Sequence, residues 1–172
     1  MKTKDIAIAL FALVLIGILG YLWFSPSGLK PAPTIAVATL NGSKVSIDQY
    51  RGHPLLVTFW ATTCPGCVQE MPHLVELYHD MAPKGLRIVA IAMSYDPPEQ
   101  VQIMAAKRQL PYTVALDSDG SAAKAFGDVK LTPTSFLIDP QGRIVQQKLG
   151  DLDMAQVRTR IEGMLAQLRA GA

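Results

Sequence analysis

The residues of this chain best suited to chemistry are two cysteines, which stand as Cys64-Pro65-Gly66-Cys67 in a sequence of 172 residues. The sequence contains only these two cysteines. Two thiols at this spacing can contribute to a metal site, attach a haem, close a structural disulfide or act as a dithiol–disulfide couple. The residues around the pair help to decide between these uses.

The surroundings of the pair favour the redox couple. A structural zinc site needs four ligands, usually with a second pair at a regular spacing. His53, His73 and His79 form no such pair, since even His73 and His79 are separated by six positions. Haem attachment requires a histidine directly after the second cysteine, and this chain has Val68 there. A structural disulfide stays open as an alternative, although closing so short a loop constrains the unfolded chain little.

The neighbouring elements should place the first thiol where its thiolate is stabilised. Leu55–Trp60 is apolar enough for a central strand, and a helix is predicted to start at Cys64/Pro65 because proline suits the first helical position. The first turn of a helix has unpaired N–H groups and the positive end of the helix dipole. A thiolate at Cys64 would be stabilised there, and the thiolate is the attacking species. Cys67 lies one turn further on and should face inward, from where it can attack a mixed disulfide.

The rest of the pattern predicts an α/β domain that begins and ends with β-hairpins. The first hairpin is expected over Ile35–Leu40 and Ser43–Ile47, with Asn41-Gly42 in a type I′ turn. Because strands and helices alternate after it, we expect a mostly parallel sheet to which the closing hairpin adds an antiparallel edge. Further strands are predicted over 86–93, 112–116, 134–138 and 143–148, and further helices over 97–108, over 121–126 and from Asp153 onward.

A hydrophobic segment precedes this domain. Residues 6–24 consist of hydrophobic residues and two glycines, and as a helix they would be about 28 Å long, close to the hydrocarbon thickness of a bilayer. We therefore predict one N-terminal transmembrane helix as a membrane anchor over residues 1–24, a linker over 25–34 and a folded domain over 35–172. Lys2 and Lys4 place the N-terminus in the cytoplasm and the folded domain outside it. A cleaved signal peptide is the alternative.

Four motifs of the chain resemble those of one known family. Leu55–Cys67 is similar to the active-site strand and loop of the membrane-anchored TlpA/ResA-like thiol–disulfide oxidoreductases. Glu70-Met71-Pro72 resembles their Glu-x-Pro, Thr132–Asp139 their cis-proline strand, and Gly142–Val145 their closing hairpin. The resemblance covers about residues 35–170 and implies a thioredoxin-like fold with an N-terminal β-hairpin extension.

The resemblance also implies roles for individual residues. It makes Cys64 the exposed nucleophile and Cys67 the buried resolving thiol, which together form the redox-active disulfide. It implies that Pro133 follows a cis peptide bond and packs against the disulfide, while Thr132 offers backbone hydrogen bonds to an extended substrate. Trp60 is expected beside the active site as a substrate-binding residue, with a place in the plain core as the alternative.

Glu70 is the third expected catalytic residue. It lies three positions after Cys67, so both side chains belong to one face of the predicted helix. Burial on that face would raise the pKa of its carboxyl group and suit it to exchange a proton with Cys67, the role that the resemblance implies. Thr58 stands where many thioredoxins have a buried aspartate, which also favours Glu70. The alternative is a solvated glutamate in the first turn, favoured by the helix dipole.

The resemblance predicts a periplasmic thiol–disulfide reductase bound to the cytoplasmic membrane. Its substrates would be disulfides of exported proteins such as apocytochrome c or copper-site proteins, and a membrane thiol transporter would supply its electrons. We expect a monomer that uses neither a cofactor nor a metal, and the net charge of +2 gives no footprint for nucleic acid. A disulfide oxidase or isomerase on the same fold, a thiol peroxidase and a copper chaperone remain alternatives.

Overall fold

The computed structural model describes residues 13–16 and 29–171 of the chain. Residues 13–16 are helical and exposed, and the rest of the predicted anchor lies outside the described residues. Within those two described ranges, no helix has the length and apolar character needed to cross a membrane.

Seven strands and four α-helices follow from residue 36 onward in the described part of the chain. The strands are β1 (Ala36–Thr39), β2 (Lys44–Ser46), β3 (Leu55–Trp60), β4 (Arg87–Ala92), β5 (Thr113–Leu116), β6 (Thr134–Ile138) and β7 (Ile144–Leu149). The helices are α1 (Pro65–Met81), α2 (Pro98–Lys107), α3 (Ser121–Ala125) and α4 (Met154–Ala170). Short 3₁₀ turns cover Ile47–Tyr50 and Ala82–Lys84. The α/β thioredoxin-like fold with its N-terminal hairpin is therefore confirmed.

The strands form one mixed sheet in the order β2-β1-β5-β4-β3-β6-β7. Only β3–β4 and β4–β5 are parallel, while the other pairs between neighbouring described strands are antiparallel. The expectation of a mostly parallel sheet was wrong. Strand order depends on pairing between segments far apart in the chain, and the alternation of helices with strands does not specify that pairing.

The interior strand β3 is buried on both faces. Its six residues are all buried, and alternate side chains point into two separate cores. One core packs against α1 and α4, and the other contains a cluster of Phe59, Phe126 and Phe136 whose ring centroids are 4.8 to 6.0 Å apart. Burial on both faces explains why β3 is apolar almost without alternation.

The turn of the first hairpin differs from the predicted type I′ turn. That turn needs a positive φ at both central residues, whereas here only Gly42 has one, of 81°. The Gly42 N–H donates to the Thr39 carbonyl at 3.0 Å, and the Ser43 N–H donates to Oδ1 of Asn41 at 3.1 Å. The Asn41 side chain thus bonds the backbone two residues on, as in an Asx turn.

The end of the predicted linker pairs with the closing hairpin. The Ile144 N–H donates to the Lys30 carbonyl, and the Ala32 N–H donates to the Gly142 carbonyl, each at 2.8 Å. Pro31 forms an isolated antiparallel bridge with Arg143. The described chain therefore enters the domain at the β6–β7 turn, and the boundary at residue 34/35 stays a prediction.

Candidate active site

The active-site loop joins the end of β3 to the start of α1. Cys64 caps the helix with extended backbone, and Pro65 occupies the first helical position, where its missing N–H leaves no intrahelical bond unmade. The Cys67 N–H donates to Sγ of Cys64 at 3.2 Å. The first sulfur thus lies among the unpaired N–H groups of the helix, as predicted.

The two cysteines form a disulfide with an S–S distance of 2.13 Å. Cys64 is half-buried, whereas Cys67 is only 3% exposed. An incoming thiolate or disulfide can therefore reach Cys64, while Cys67 is shielded by the core. This asymmetry fits the predicted roles of nucleophile and resolving thiol.

The Thr132–Pro133 peptide bond is cis, which confirms the expectation from the resemblance. Pro133 is buried and Thr132 is half-buried. A Cβ atom at Gly66 would lie 3.7 Å from Cδ of Pro133, so the proline packs against the loop between the cysteines. The start of β6 therefore lies beside the disulfide, with Thr132 half-buried next to it.

Glu70 is buried, with 5% of its surface exposed. Its Oε1 accepts a hydrogen bond from the Leu152 N–H at 2.6 Å. Burial raises the pKa of the Glu70 carboxyl above its ordinary value of 4.5. The hydrogen bond from Leu152 lowers this pKa, though by less than burial raises it. Of the two nearby charged groups, Asp151 raises the pKa and His73 lowers it. The solvated first-turn glutamate considered above is therefore not what the structure shows.

Trp60 lies beneath the disulfide and not on the surface. It is 3% exposed, and its Nε1 has no hydrogen-bond partner among the described residues. Trp60 lines a cavity with Cys67 and Glu70, so it lies beside the active site as expected. Its burial is typical of the alternative of a core residue, and its role in substrate binding stays a prediction. The strand continues apolar packing up to its last position, which leaves the indole no route to the surface.

A small cavity of about 10 Å³ connects these groups. Tyr112 was not expected there, yet it lines the cavity and is buried. Burial raises the pKa of the Tyr112 hydroxyl, and the nearby Glu70 charge adds to this effect. Thr58 is buried and accepts a hydrogen bond from Oγ of Ser135 at 2.9 Å. Among the described residues the cavity is lined by Thr58, Trp60, Cys67, Glu70, Met71, Leu74, Ala90, Leu110, Tyr112 and Pro133, of which Glu70 is the one carboxylate.

Comparison with known proteins gives a consistent result. The sequence model of the Redoxin family matches residues 28–164. The chain is 32% identical over 139 residues to the thiol-disulfide oxidoreductase ResA of Bacillus thuringiensis subsp. konkukian, covering 81% of this chain and 77% of that one.

The chain belongs to the Redoxin family.

Further relatives agree with the assignment of this chain to the Redoxin family. A ResA of Geobacillus thermodenitrificans is 29% identical over 133 residues, which cover 77% of this chain and 75% of that protein. The crystal structure of a thiol:disulfide interchange protein of the thioredoxin family from Chlorobium tepidum superposes with a TM-score of 0.73 and 26% identity, over 82% of this chain and 99% of that one. Together with the Cys64–Cys67 disulfide, these relatives identify the redoxin as a TlpA/ResA-like thiol–disulfide oxidoreductase.

Asp96 is a site residue of this redoxin that sequence reasoning missed. It follows β4, is 5% exposed, and accepts from both the N–H and the Oγ1–H of Thr62, each at 2.6 Å. These two bonds hold the loop between β3 and Cys64. The only sequence signal is an aspartate soon after a strand, which does not indicate its partner 34 positions earlier.

We expect the Asp96→Ala variant to lose about 2–4 kcal/mol of unfolding free energy, because it removes two hydrogen bonds to a buried carboxylate. Urea denaturation of the oxidised protein measures this loss. Glu99→Ala, which removes an exposed carboxylate three positions on, is the matched control. Equal stability of the two variants would show that Asp96 does not hold the loop.

The raised pKa of Glu70 predicts a pH dependence of stability. Between 4.5, its value in the unfolded chain, and the raised value, the native state binds more protons than the unfolded state. The stability contributed by protonated Glu70 is therefore present at low pH and is lost as the pH rises through the folded pKa. The Glu70→Gln variant has no titrating group at this position and so does not lose this stability. The difference in unfolding free energy between the variant and the native protein should therefore increase as the pH rises above 4.5.

Urea denaturation at a series of pH values checks this expectation. Glu76→Gln is the matched control, because Glu76 is exposed on the same helix. Parallel stability curves for the native sequence and Glu70→Gln would contradict the raised pKa.

Proposed function

We propose that this redoxin is a membrane-anchored reductase that works outside the cytoplasm on disulfides of exported proteins. The observation that carries the proposal is the Cys64–Cys67 disulfide itself, accessible at Cys64 and adjoined by buried Glu70 and cis Pro133. The resemblance to TlpA/ResA-like proteins supports a reductive role. It also suggests apocytochrome c and copper-site proteins as substrates.

The reaction transfers two electrons in two exchanges of a disulfide bond. The Cys64 thiolate of the reduced protein attacks one sulfur of the substrate disulfide, forms a mixed disulfide and releases the first substrate thiolate. The Cys67 thiolate then attacks Sγ of Cys64, which releases the second substrate thiolate. The substrate gains two electrons, and the protein is left with the Cys64–Cys67 disulfide seen in the structure.

Glu70 would manage the proton of the second exchange. Cys67 is shielded from water, so its thiol needs a base within the protein before it can attack. Glu70 lines the same cavity as Cys67, and its raised pKa brings it closer to the range in which it can take that proton and return it to the leaving thiolate.

Thr132 and Pro133 would position the substrate. The chain before β6 is half-buried at Thr132 and lies beside the disulfide, so its backbone can pair with an extended segment around the substrate cysteine. Backbone pairing recognises an extended shape more than a sequence, which suits a reductase that serves several exported proteins.

The proposed location depends on the N-terminal sequence. Residues 6–24 have the length and apolar character of a bilayer-spanning helix, and Lys2 and Lys4 orient the N-terminus toward the cytoplasm. In an oxidising compartment the protein must be reduced again after each turnover. A dithiol of a membrane thiol transporter would supply these two electrons.

The trapping variant Cys67→Ser tests the exchange, with the full chain in mild detergent and a peptide that contains a disulfide-bonded Cys-x-x-Cys-His segment. We expect Cys67→Ser to accumulate the mixed disulfide, because the resolving thiol is absent, and Cys64→Ser to accumulate none. Mass spectrometry of the alkylated products measures both.

The direction of electron flow is tested by equilibration with glutathione. We expect a potential nearer to that of thioredoxin, about −270 mV, than to that of a strong oxidant, about −120 mV. A potential near the oxidant value, with reduced substrates trapped, would overturn the reductase and support the oxidase alternative.

Glu70→Gln should slow reduction of the same peptide at least about tenfold, because general acid–base groups typically contribute a hundredfold or more. Stopped-flow tryptophan fluorescence under single turnover measures the rate, and Glu76→Gln should keep the native rate. Equal rates for the two variants would remove Glu70 from the mechanism.

A further inference from the structure

Three consecutive residues between β7 and α4 contact three different parts of the active site. The Gly150 N–H donates to the carbonyl of cis Pro133 at 2.9 Å, and the Leu152 N–H donates to Oε1 of Glu70 at 2.6 Å. Asp151 lies between them. Because both neighbouring amides are bonded to the site, the position of Asp151 is set by the site itself.

The Asp151 side chain lies over the loop between the two cysteines. A Cβ atom at Gly66 would be 3.3 Å from Oδ1 of Asp151, which is closer than an ordinary van der Waals contact. The carboxylate therefore takes the space that any larger residue at position 66 would need. Asp151 is exposed, yet it is the charged side chain that approaches the Cys-Pro-Gly-Cys loop in this contact.

The charges at the site act in opposite directions on the reduced pair. The helix N-terminus and the Cys67 N–H stabilise a thiolate at Cys64. The Asp151 carboxylate, which lies against Gly66 in the loop between the two cysteines, opposes it, because a nearby negative charge disfavours a second one. The same charge acts on buried Glu70, whose pKa it raises, while His73 acts in the opposite sense.

We propose that Asp151 is a tuning residue that biases the Cys64–Cys67 couple toward the disulfide and so makes the reduced protein a stronger electron donor. The couple takes up two electrons and two protons to become the dithiol, one proton of which is lost when Cys64 ionises. Asp151 disfavours that ionised form. A less stable reduced form gives a lower potential, as the opposite case of a strong oxidant with a stabilised reduced form shows.

The test is the equilibrium of the full chain with glutathione. Asp151→Asn keeps the shape of the side chain and removes the charge, so at a pH where the Cys64 thiol is ionised it should shift the equilibrium about two- to fivefold toward the reduced form. Solvent screening of an exposed charge limits the effect to this size, and a fivefold shift corresponds to about 20 mV. The same variant should lower the pKa of the Cys64 thiol, measured by thiolate absorbance.

Two further variants separate charge from shape. Asp153→Asn is the matched control: it removes the next charge in the same loop, and asparagine keeps the helix cap that Asp153 provides through its bond from the Gln156 N–H. It should leave the equilibrium unchanged. Asp151→Glu keeps the charge and should stay close to the native equilibrium, whereas equal shifts for Asp151→Asn and Asp151→Glu would overturn the proposal.

This inference depends on the proposed reductive function for its meaning, but the two can fail separately. If Asp151→Asn leaves the equilibrium unchanged while the native protein reduces the peptide, the tuning role is wrong and the reductase stands. If the native potential is that of a strong oxidant, the reductase is wrong, and the direction of the Asp151→Asn shift still decides whether Asp151 tunes the couple. Raising the salt concentration should reduce the difference between Asp151→Asn and the native protein.

Discussion

Burial of β3 on both faces is the constraint on which the rest of the structure depends. The strand is paired in parallel with β4 and antiparallel with β6, and its side chains enter both cores. Two neighbouring strands and two cores therefore fix the position of β3. The loop that contains the cysteines starts at the C-terminal end of this strand. The disulfide can therefore be placed relative to β6, and so to cis Pro133, without any contribution from the substrate.

The other residues of the site belong to separate segments of the chain, which lie close together at the C-terminal end of β3. α1 contributes Cys67 and Glu70, the loop after β4 contributes Asp96, and the segment before α4 contributes Leu152. Each segment is fastened by hydrogen bonds between polar groups that are buried or half-buried. Such bonds are costly to leave unmade, so the site is ordered before a substrate arrives. The potential of the disulfide is then a property of the folded domain and not of the two cysteines alone.

The sequence predicts what depends on neighbouring residues and misses what depends on distant ones. The bounds of β3 follow from a run of five apolar residues that only Thr58 interrupts, and the start of α1 follows from Pro65, so both agree with the structure. The cis bond before Pro133 came from the resemblance, because no local pattern specifies it. The sequence places Trp60 beside the active site but leaves its burial open, because the residue's position next to the motif does not specify its 3% exposure.

The point at which the chain enters the domain has a consequence for its geometry. Lys30 and Ala32 pair at the β6–β7 turn, whereas Cys64 follows the opposite end of β3, where Phe59 pairs with Thr134. Six residues of strand separate these two ends, a distance of about 20 Å. The point at which the chain enters the domain and the disulfide therefore lie at opposite ends of β3. Under the proposed membrane anchoring, this placement would leave the disulfide accessible to partner proteins on the side away from the point of attachment.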